Sequence, residues 1–177
     1  FENVKQSNTL IDIGCNDGRE LKDILGANFS KPKITLIDIS RKAITRLQQS
    51  VVHRHIEVVN ESFNTAKFKK NSFDFCVSLR TLHSSGIDTN ESLKRCYEIT
   101  KPKGIIILSV SNGYIDDITG EALKGMYNYT TGIVDEAKPF QVAKDMADKL
   151  MSLNAVDVNI IEGNSEIFII GYKNEKQ

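Results

Sequence analysis

The stretch Thr9-Leu10-Ile11-Asp12-Ile13-Gly14-Cys15-Asn16-Asp17-Gly18-Arg19-Glu20-Leu21 decides the fold class. Thr9 to Ile13 reads as a short buried strand. The turn from Gly14 to Gly18 then opens a helix whose apolar Leu21, Ile24 and Leu25 recur at i, i+3 and i+4. Gly14 lets the backbone turn sharply and leaves room for a ligand, Gly18 permits close packing at the helix start, and Asn16 is the non-glycine residue most tolerant of positive φ. The following helix points the positive end of its dipole at whatever lies in the turn. A dinucleotide fingerprint needs G-x-G-x-x-G, and counting from Gly14 puts Asn16 and Arg19 at the other two positions, so a nicotinamide cofactor is not expected. Asp12, two residues before the glycine, would repel a pyrophosphate but suits a cationic ammonium or sulfonium group.

Outward from this turn the alternation continues. Strands are expected at Lys33 to Asp38, His55 to Val59, Phe73 to Ser78 and Ile105 to Val110, the last started by Gly104. Ser40 is a natural N-cap for a helix with Ala43, Ile44 and Leu47 on one face, and Leu93, Cys96 and Tyr97 mark a helix ending near Lys101-Pro102. Residues 111–137 break the rhythm and read as an irregular insertion with one short helix around Glu121 to Met126. Pro139 opens a helix carrying Ala143, Met146, Ala147, Leu150 and Met151 on one face. Ala155 to Ile161 and Glu166 to Tyr172 close the chain as strands joined by a turn too short for a parallel crossover, so the last strand runs antiparallel to its neighbour. The class is a Rossmann-like, doubly wound α/β fold with a seven-stranded, mostly parallel sheet. Its chemistry belongs at the carboxyl ends of the strands, after Ile13, Asp38, Val59, Ser78 and Val110.

Composition bounds the rest. The chain has 177 residues, 40% hydrophobic and 26% charged, and reads as one domain, 1–177, that buries a substantial core. With 23 basic and 23 acidic residues the formal net charge is zero, which argues against a globally basic surface for nucleic acid. No run is long enough to span a bilayer, and the start shows neither an initiator Met nor a secretory pattern. Three cysteines, Cys15, Cys76 and Cys96, without C-x-x-C spacing point to a reduced, cytoplasmic setting and to no structural zinc. His53 and His55 lack a nearby acid cluster, so no metal site is expected.

Asp38 lies 20 residues beyond Gly18 at a strand end, the spacing of an acid that accepts ribose hydroxyls. Asn60-Glu61-Ser62-Phe63 offers polar groups and a ring at the same edge for an adenine, Glu61 being the favoured contact. Together these resemble the class I S-adenosylmethionine-dependent methyltransferases. Asp12-Ile13-Gly14-Cys15-Asn16-Asp17-Gly18 is similar to their D-x-G-C-G-x-G motif, with Asn16 in place of the middle glycine; Asp38 matches the ribose acid; Asn60 to Phe63 resembles the G-D-S/A-F segment. The stretch from Ser72 to His83 is similar to S-F-D-x-V-x-S-x-x-x-L-H, and Lys101-Pro102-Lys103-Gly104 to the K-P-G-G entry of the fifth strand. The resemblance implies that S-adenosyl-L-methionine is the cofactor and S-adenosyl-L-homocysteine the product. It further implies that the Asp12–Gly18 loop holds the methionine part, Asp38 the ribose, Ile39 and Phe63 the adenine faces with Glu61 and Ser62 at its edge, and Leu79 and Arg80 the floor near the sulfonium. With the first strand beginning by about Thr9, the family's N-terminal lid is expected to be missing or truncated in this chain.

Methyl transfer from a sulfonium needs alignment and exclusion of water more than a dedicated base. His83 is the candidate base, because an imidazole with an ordinary pKa of about 6.5 suits neutral pH. The 111–137 insertion carries Asp116, Asp117, Glu121, Asp135 and Glu136 against Lys124 alone, a formal charge of −4. With Tyr114, Tyr127 and Tyr129 as candidate acceptor contacts, it suits a small organic or peptide-like acceptor that is neutral or cationic, and disfavours a polyanion. A non-catalytic cofactor-binding scaffold, and methylation of protein or RNA, are the alternative readings.

Overall fold

The computed structural model describes residues 5–26, 32–50, 55–84, 86–111, 138–163 and 166–175. Seven strands form one sheet in the order β3-β2-β1-β4-β5-β7-β6. Strand β1 (Thr9–Ile13) lies at its centre, parallel to β2 (Lys33–Ile37) on one side and to β4 (Phe73–Leu79) on the other. β3 (Ile56–Val59) extends the sheet beyond β2, and β5 (Thr100–Ser111) lies parallel to β4. The chain thus winds one way from β1 to β3 and the other way from β4 to β5. The reversal leaves a crevice above the carboxyl ends of β1 and β4, where open α/β sheets bind ligands.

Helices cover both faces. On one, α1 (Arg19–Leu25) and α2 (Arg41–Ser50) bury Leu21, Leu25, Ile44 and Leu47 against Leu10, Ile34, Leu36 and Val77. Ser40 caps α2 as expected, its hydroxyl accepting the Ala43 N–H at 3.3 Å. On the other face, α3 (Thr89–Ile99) and α4 (Lys138–Ser152) bury Leu93, Cys96, Ala143, Met146 and Leu150 against Cys76, Ile106 and Ile169. Each fully buried Leu or Ile contributes about 1.5–3 kcal/mol of hydrophobic stabilisation. Among the described residues no helix is long and apolar enough to cross a membrane.

The terminal strands β6 (Ala155–Glu162) and β7 (Glu166–Lys173) are antiparallel to each other. β7 inserts between β5 and β6, so it is also antiparallel to β5, pairing Ser111 with Glu166 and Ile105 with Tyr172. Its first residue therefore sits at the edge where the parallel strands end.

One strand start and one helix face differ from the sequence reading by more than a residue's shift. β5 begins at Thr100 rather than Gly104, with Lys101 and Pro102 inside it. Pro102 is tolerated because the β4–β5 register is irregular between Phe73 and Phe75, where no regular ladder bond is required of it. Met151 is 49% exposed and does not share the buried face of Ala143, Met146, Ala147 and Leu150. At 3.6 residues per turn it stands about 140° round the helix from Met146, beyond the apolar stripe. The short helix expected around Glu121 to Met126 and the rest of the 112–137 insertion lie outside the described residues.

Candidate cofactor site

After β1 the chain makes the turn that the glycines imply. Gly14, Asn16 and Gly18 all take positive φ, of 74°, 48° and 73°. The N–H groups of Gly14 and Cys15 both donate to the Ile37 carbonyl, at 2.8 and 3.2 Å, which ties the turn to the end of β2. Asp38 completes the link: one carboxylate oxygen accepts the Asn16 N–H at 2.9 Å and the other the Ser40 N–H at 2.7 Å. A carboxylate oxygen has a second lone pair, so Asp38 is held in place with acceptor capacity left over. Asn60 donates its amide to the carbonyls of Asp38 and Ile39, at 2.9 and 3.1 Å. That amide fastens the end of β2.

A cleft of about 210 Å³ opens at this edge. Of the sequence-derived site residues, Gly14, Asp38, Ile39, Glu61, Ser62 and Phe63 line it. Asn64, Thr81, Leu82, Gly86, Ile87 and Ser92 also line it and were not picked out from the sequence. Asp12, Cys15 and Leu79 are buried beside the cleft rather than on its wall. Gly18 is buried and faces the Leu47 side chain of α2. Asn16, Asp17, Arg80 and His83 also lie outside the wall. Tyr114, Tyr127 and Tyr129 fall outside the described residues.

The wall at 61–66 is fixed from helix α3. Ser92 donates its hydroxyl to the Asn64 side-chain oxygen at 2.9 Å. Arg95 donates to the Asn64 carbonyl at 3.0 Å and to the Ala66 carbonyl, and its guanidinium lies 5.2 Å from the Phe63 ring centroid. Phe63 is only 8% exposed and packs on Phe68, which meets Phe73 edge-on. At the opposite lip Ile39 is 74% exposed. Arg95→Met keeps the aliphatic stem but removes both charge-assisted bonds and the ring contact. It is expected to lower stability by about 1–3 kcal/mol in urea unfolding and to weaken nucleoside binding through loss of the fixed wall. A variant with unchanged midpoint and unchanged affinity would show that the wall stands without Arg95.

Three ionisable groups near the turn are perturbed. Burial, and then the neighbouring Asp38 charge, push the Asp12 carboxyl up from 3.8 to about 7. Burial, then Asp12, pushes the Cys15 thiol above its ordinary range, so it stays protonated. His83 is driven down from 6.5 to about 4 by burial and by the Arg80 guanidinium. Its imidazole is therefore neutral at physiological pH but a weaker base than the ordinary value suggests. Both of its ring nitrogens are buried without a hydrogen-bond partner among the described residues.

The arrangement fits a nucleoside with a cationic amino-acid arm. A Cβ at Gly14 would fill the cradle, coming within 2.7 Å of the Thr81 Cβ. Asp38, with its carboxylate held by two backbone N–H groups, and Ile39 and Phe63 share one cleft, and a cation brought near the buried Asp12 would favour its ionised form.

Comparison with known proteins places the chain in a family. Residues 11–108 match the family described as Methyltransferase domain. No curated protein matches the sequence. Among solved structures, a SAM-dependent methyltransferase from Aquifex aeolicus is 15% identical, with a TM-score of 0.70 over 96% of this chain and 84% of the other. Haemonchus contortus phosphoethanolamine N-methyltransferase 2, in complex with phosphomonomethylethanolamine and S-adenosylhomocysteine, is 13% identical, with a TM-score of 0.75 over 98% of this chain and 50% of the other. Human N-acetylserotonin methyltransferase in complex with SAM is 18% identical, with a TM-score of 0.67 over 97% and 49%. These likenesses establish the shared fold, and the matched stretch carries the turn, Asp38 and the 60–63 segment together. The chain belongs to the methyltransferase-domain family and is a class I S-adenosylmethionine-dependent methyltransferase.

Proposed function

We propose that this enzyme methylates a small organic or peptide-like acceptor, neutral or cationic, and that the residues lining the crevice above β1 and β4 bind the cofactor. S-adenosylmethionine supplies an activated methyl group that a nucleophile takes by in-line displacement. The chain's own part is positional. Asp38 and the Gly14–Gly18 turn hold the ribose and the amino-acid arm, Glu61 and Ser62 meet the edge of the base, and Phe63 and Ile39 flank its faces. Alignment of this kind can contribute roughly 7–11 kcal/mol to a two-reactant step. His83, neutral at pH 7, accepts a hydrogen bond from an acceptor N–H or O–H and orients it, with Leu79 and Arg80 close by. The −4 formal charge of residues 111–137 favours a cation over a polyanion. The unpaired, buried thiols of Cys15, Cys76 and Cys96 support a cytoplasmic setting.

One observation carries the cofactor assignment: the Asp38 carboxylate joins the end of β2 to the turn through the Asn16 N–H, also accepts the Ser40 N–H, and still lines the cleft. Asp38→Ala is expected to weaken S-adenosylhomocysteine about tenfold or more in calorimetric titration, while Asp38→Asn, which keeps an acceptor oxygen, loses less. Equal affinity of wild type and Asp38→Ala would remove the assignment. Labelled methyl transfer tested on small acceptors, on RNA and on folded protein decides the acceptor class; incorporation into macromolecules alone would overturn the small-acceptor reading.

A further inference from the structure

Across the sheet from Asp38 a second polar group has no assigned role. Glu166, the first residue of β7, pairs with Ser111 at the end of β5. It lies two strands beyond β4, about 10 Å at ordinary strand spacing, on the flank away from Ile39 and the 61–63 segment. One of its carboxylate oxygens is 3.5 Å from the Arg80 Nε, and the other is buried with no hydrogen-bond partner among the described residues. Arg80 also pairs with Glu20 from the first turn of α1. Among the described residues one guanidinium thus serves two carboxylates, which leaves one negative charge over.

Arg80 is itself firmly placed. It takes a left-handed φ of 51°, and its N–H donates to both the carbonyl and the hydroxyl of Ser109, each at 3.1 Å. His83, three residues on, is close enough to feel that guanidinium, and both its ring nitrogens lack partners among the described residues. Leaving a buried polar atom unpaired costs about 1–3 kcal/mol, so two such groups around one arginine call for a function. A carboxylate oxygen only accepts, and it sits where negative charge is in excess. The missing group is therefore a donor, and a cationic one is favoured over a neutral one.

We infer that Glu166, anchored by Arg80 across from the cofactor crevice, is the recognition group for an acceptor that carries a protonated amine. This deepens the small-acceptor reading and rests on it. Sequence inspection missed Glu166 because only the antiparallel insertion of β7 brings the start of that strand to the edge where the parallel strands end.

The test uses full-length protein saturated with S-adenosylhomocysteine and titrated with two matched pairs of probes: tyramine against tyrosol, and 2-phenylethylamine against 2-phenylethanol. Each amine is expected to bind about tenfold or more tightly than its alcohol. Glu166→Gln should abolish that preference and Glu166→Asp should keep part of it, with affinity for S-adenosylhomocysteine unchanged in both. Equal binding of amines and alcohols, or a preference that survives Glu166→Gln, overturns this inference alone. Absence of binding by all four probes overturns the small-acceptor reading together with it.

Discussion

Replacing Gly14 with alanine is expected to destabilise the folded chain by about 2–5 kcal/mol and to weaken S-adenosylhomocysteine binding about tenfold or more. Two costs combine. At φ 74° an L-residue pays about 1–2 kcal/mol for the left-handed conformation. The added methyl also meets the Thr81 side chain, including its Cβ at 2.7 Å, and overpacking of this kind costs about 1–3 kcal/mol. Thr81 cannot simply rotate away, since its hydroxyl donates to the Leu79 carbonyl at 3.0 Å and its Cβ is fixed by the backbone after β4. Any relief must therefore come from shifting the turn itself. That turn carries the two N–H bonds to the Ile37 carbonyl and the Asn16 N–H bond to Asp38, so strain at Gly14 reaches the cleft directly. Urea unfolding and calorimetric titration of the single variant give both numbers. The double variant with Thr81→Ala should recover only part of the stability, because the Thr81 Cβ and the backbone cost remain. A Gly14→Ala protein with the wild-type unfolding midpoint would show that the turn is looser than its geometry.

What the sequence made legible is what local chemistry dictates. The positive φ of Asn16 and Gly18, the Ser40 cap and the alternation of strand and helix follow from residue types a few positions apart. Asp38 reaches the turn because a parallel β1–β2 pair brings their ends together, and a strand–turn–helix pattern already implies that pairing. The features that escaped are tertiary. Nothing near Arg95 or Ser92 signals that α3 clamps the 63–66 segment some thirty residues earlier. Pro102 reads locally as a boundary, so the sequence points to a later start for β5, whereas an irregular register with β4 removes the demand for its missing N–H. His83 suits a base only at its ordinary pKa, and burial beside Arg80 lowers that value, which no spacing rule gives. Met151 fails for a simpler reason: one residue at the edge of a stripe is decided by what packs beside it.

Asp12 predicts the largest pH effect. Its carboxyl is 3% exposed and moves from 3.8 to about 7, through burial first and the Asp38 charge second. Below about pH 4 it is protonated in both the folded and unfolded chain and costs nothing. Between pH 4 and 7 the unfolded chain releases the proton while the folded one retains it, so this group's contribution to stability falls as pH rises, and the loss is complete above about 7. At about 1.4 kcal/mol per tenfold change in proton affinity, the full span corresponds to about 4 kcal/mol. His83 works the opposite way: its depressed pKa makes stability fall as pH drops from about 6.5 toward 4, so the raw profile mixes the two. The difference between wild type and Asp12→Asn isolates Asp12, because His83 titrates in both. Relative to the variant, wild type should lose most of the 4 kcal/mol between pH 4 and 8 in urea unfolding; parallel profiles would exclude a buried, titrating carboxyl. The same carboxyl ties pH to the cofactor. A cation placed nearby favours its ionised form, so S-adenosylmethionine should bind wild type more tightly at pH 8 than at pH 6 and release a fraction of a proton in doing so. Asp12→Asn should bind with little dependence on pH over that range. Burial of Asp12 thus lowers the stability of the folded chain at neutral pH, and binding of a cationic cofactor offsets that loss.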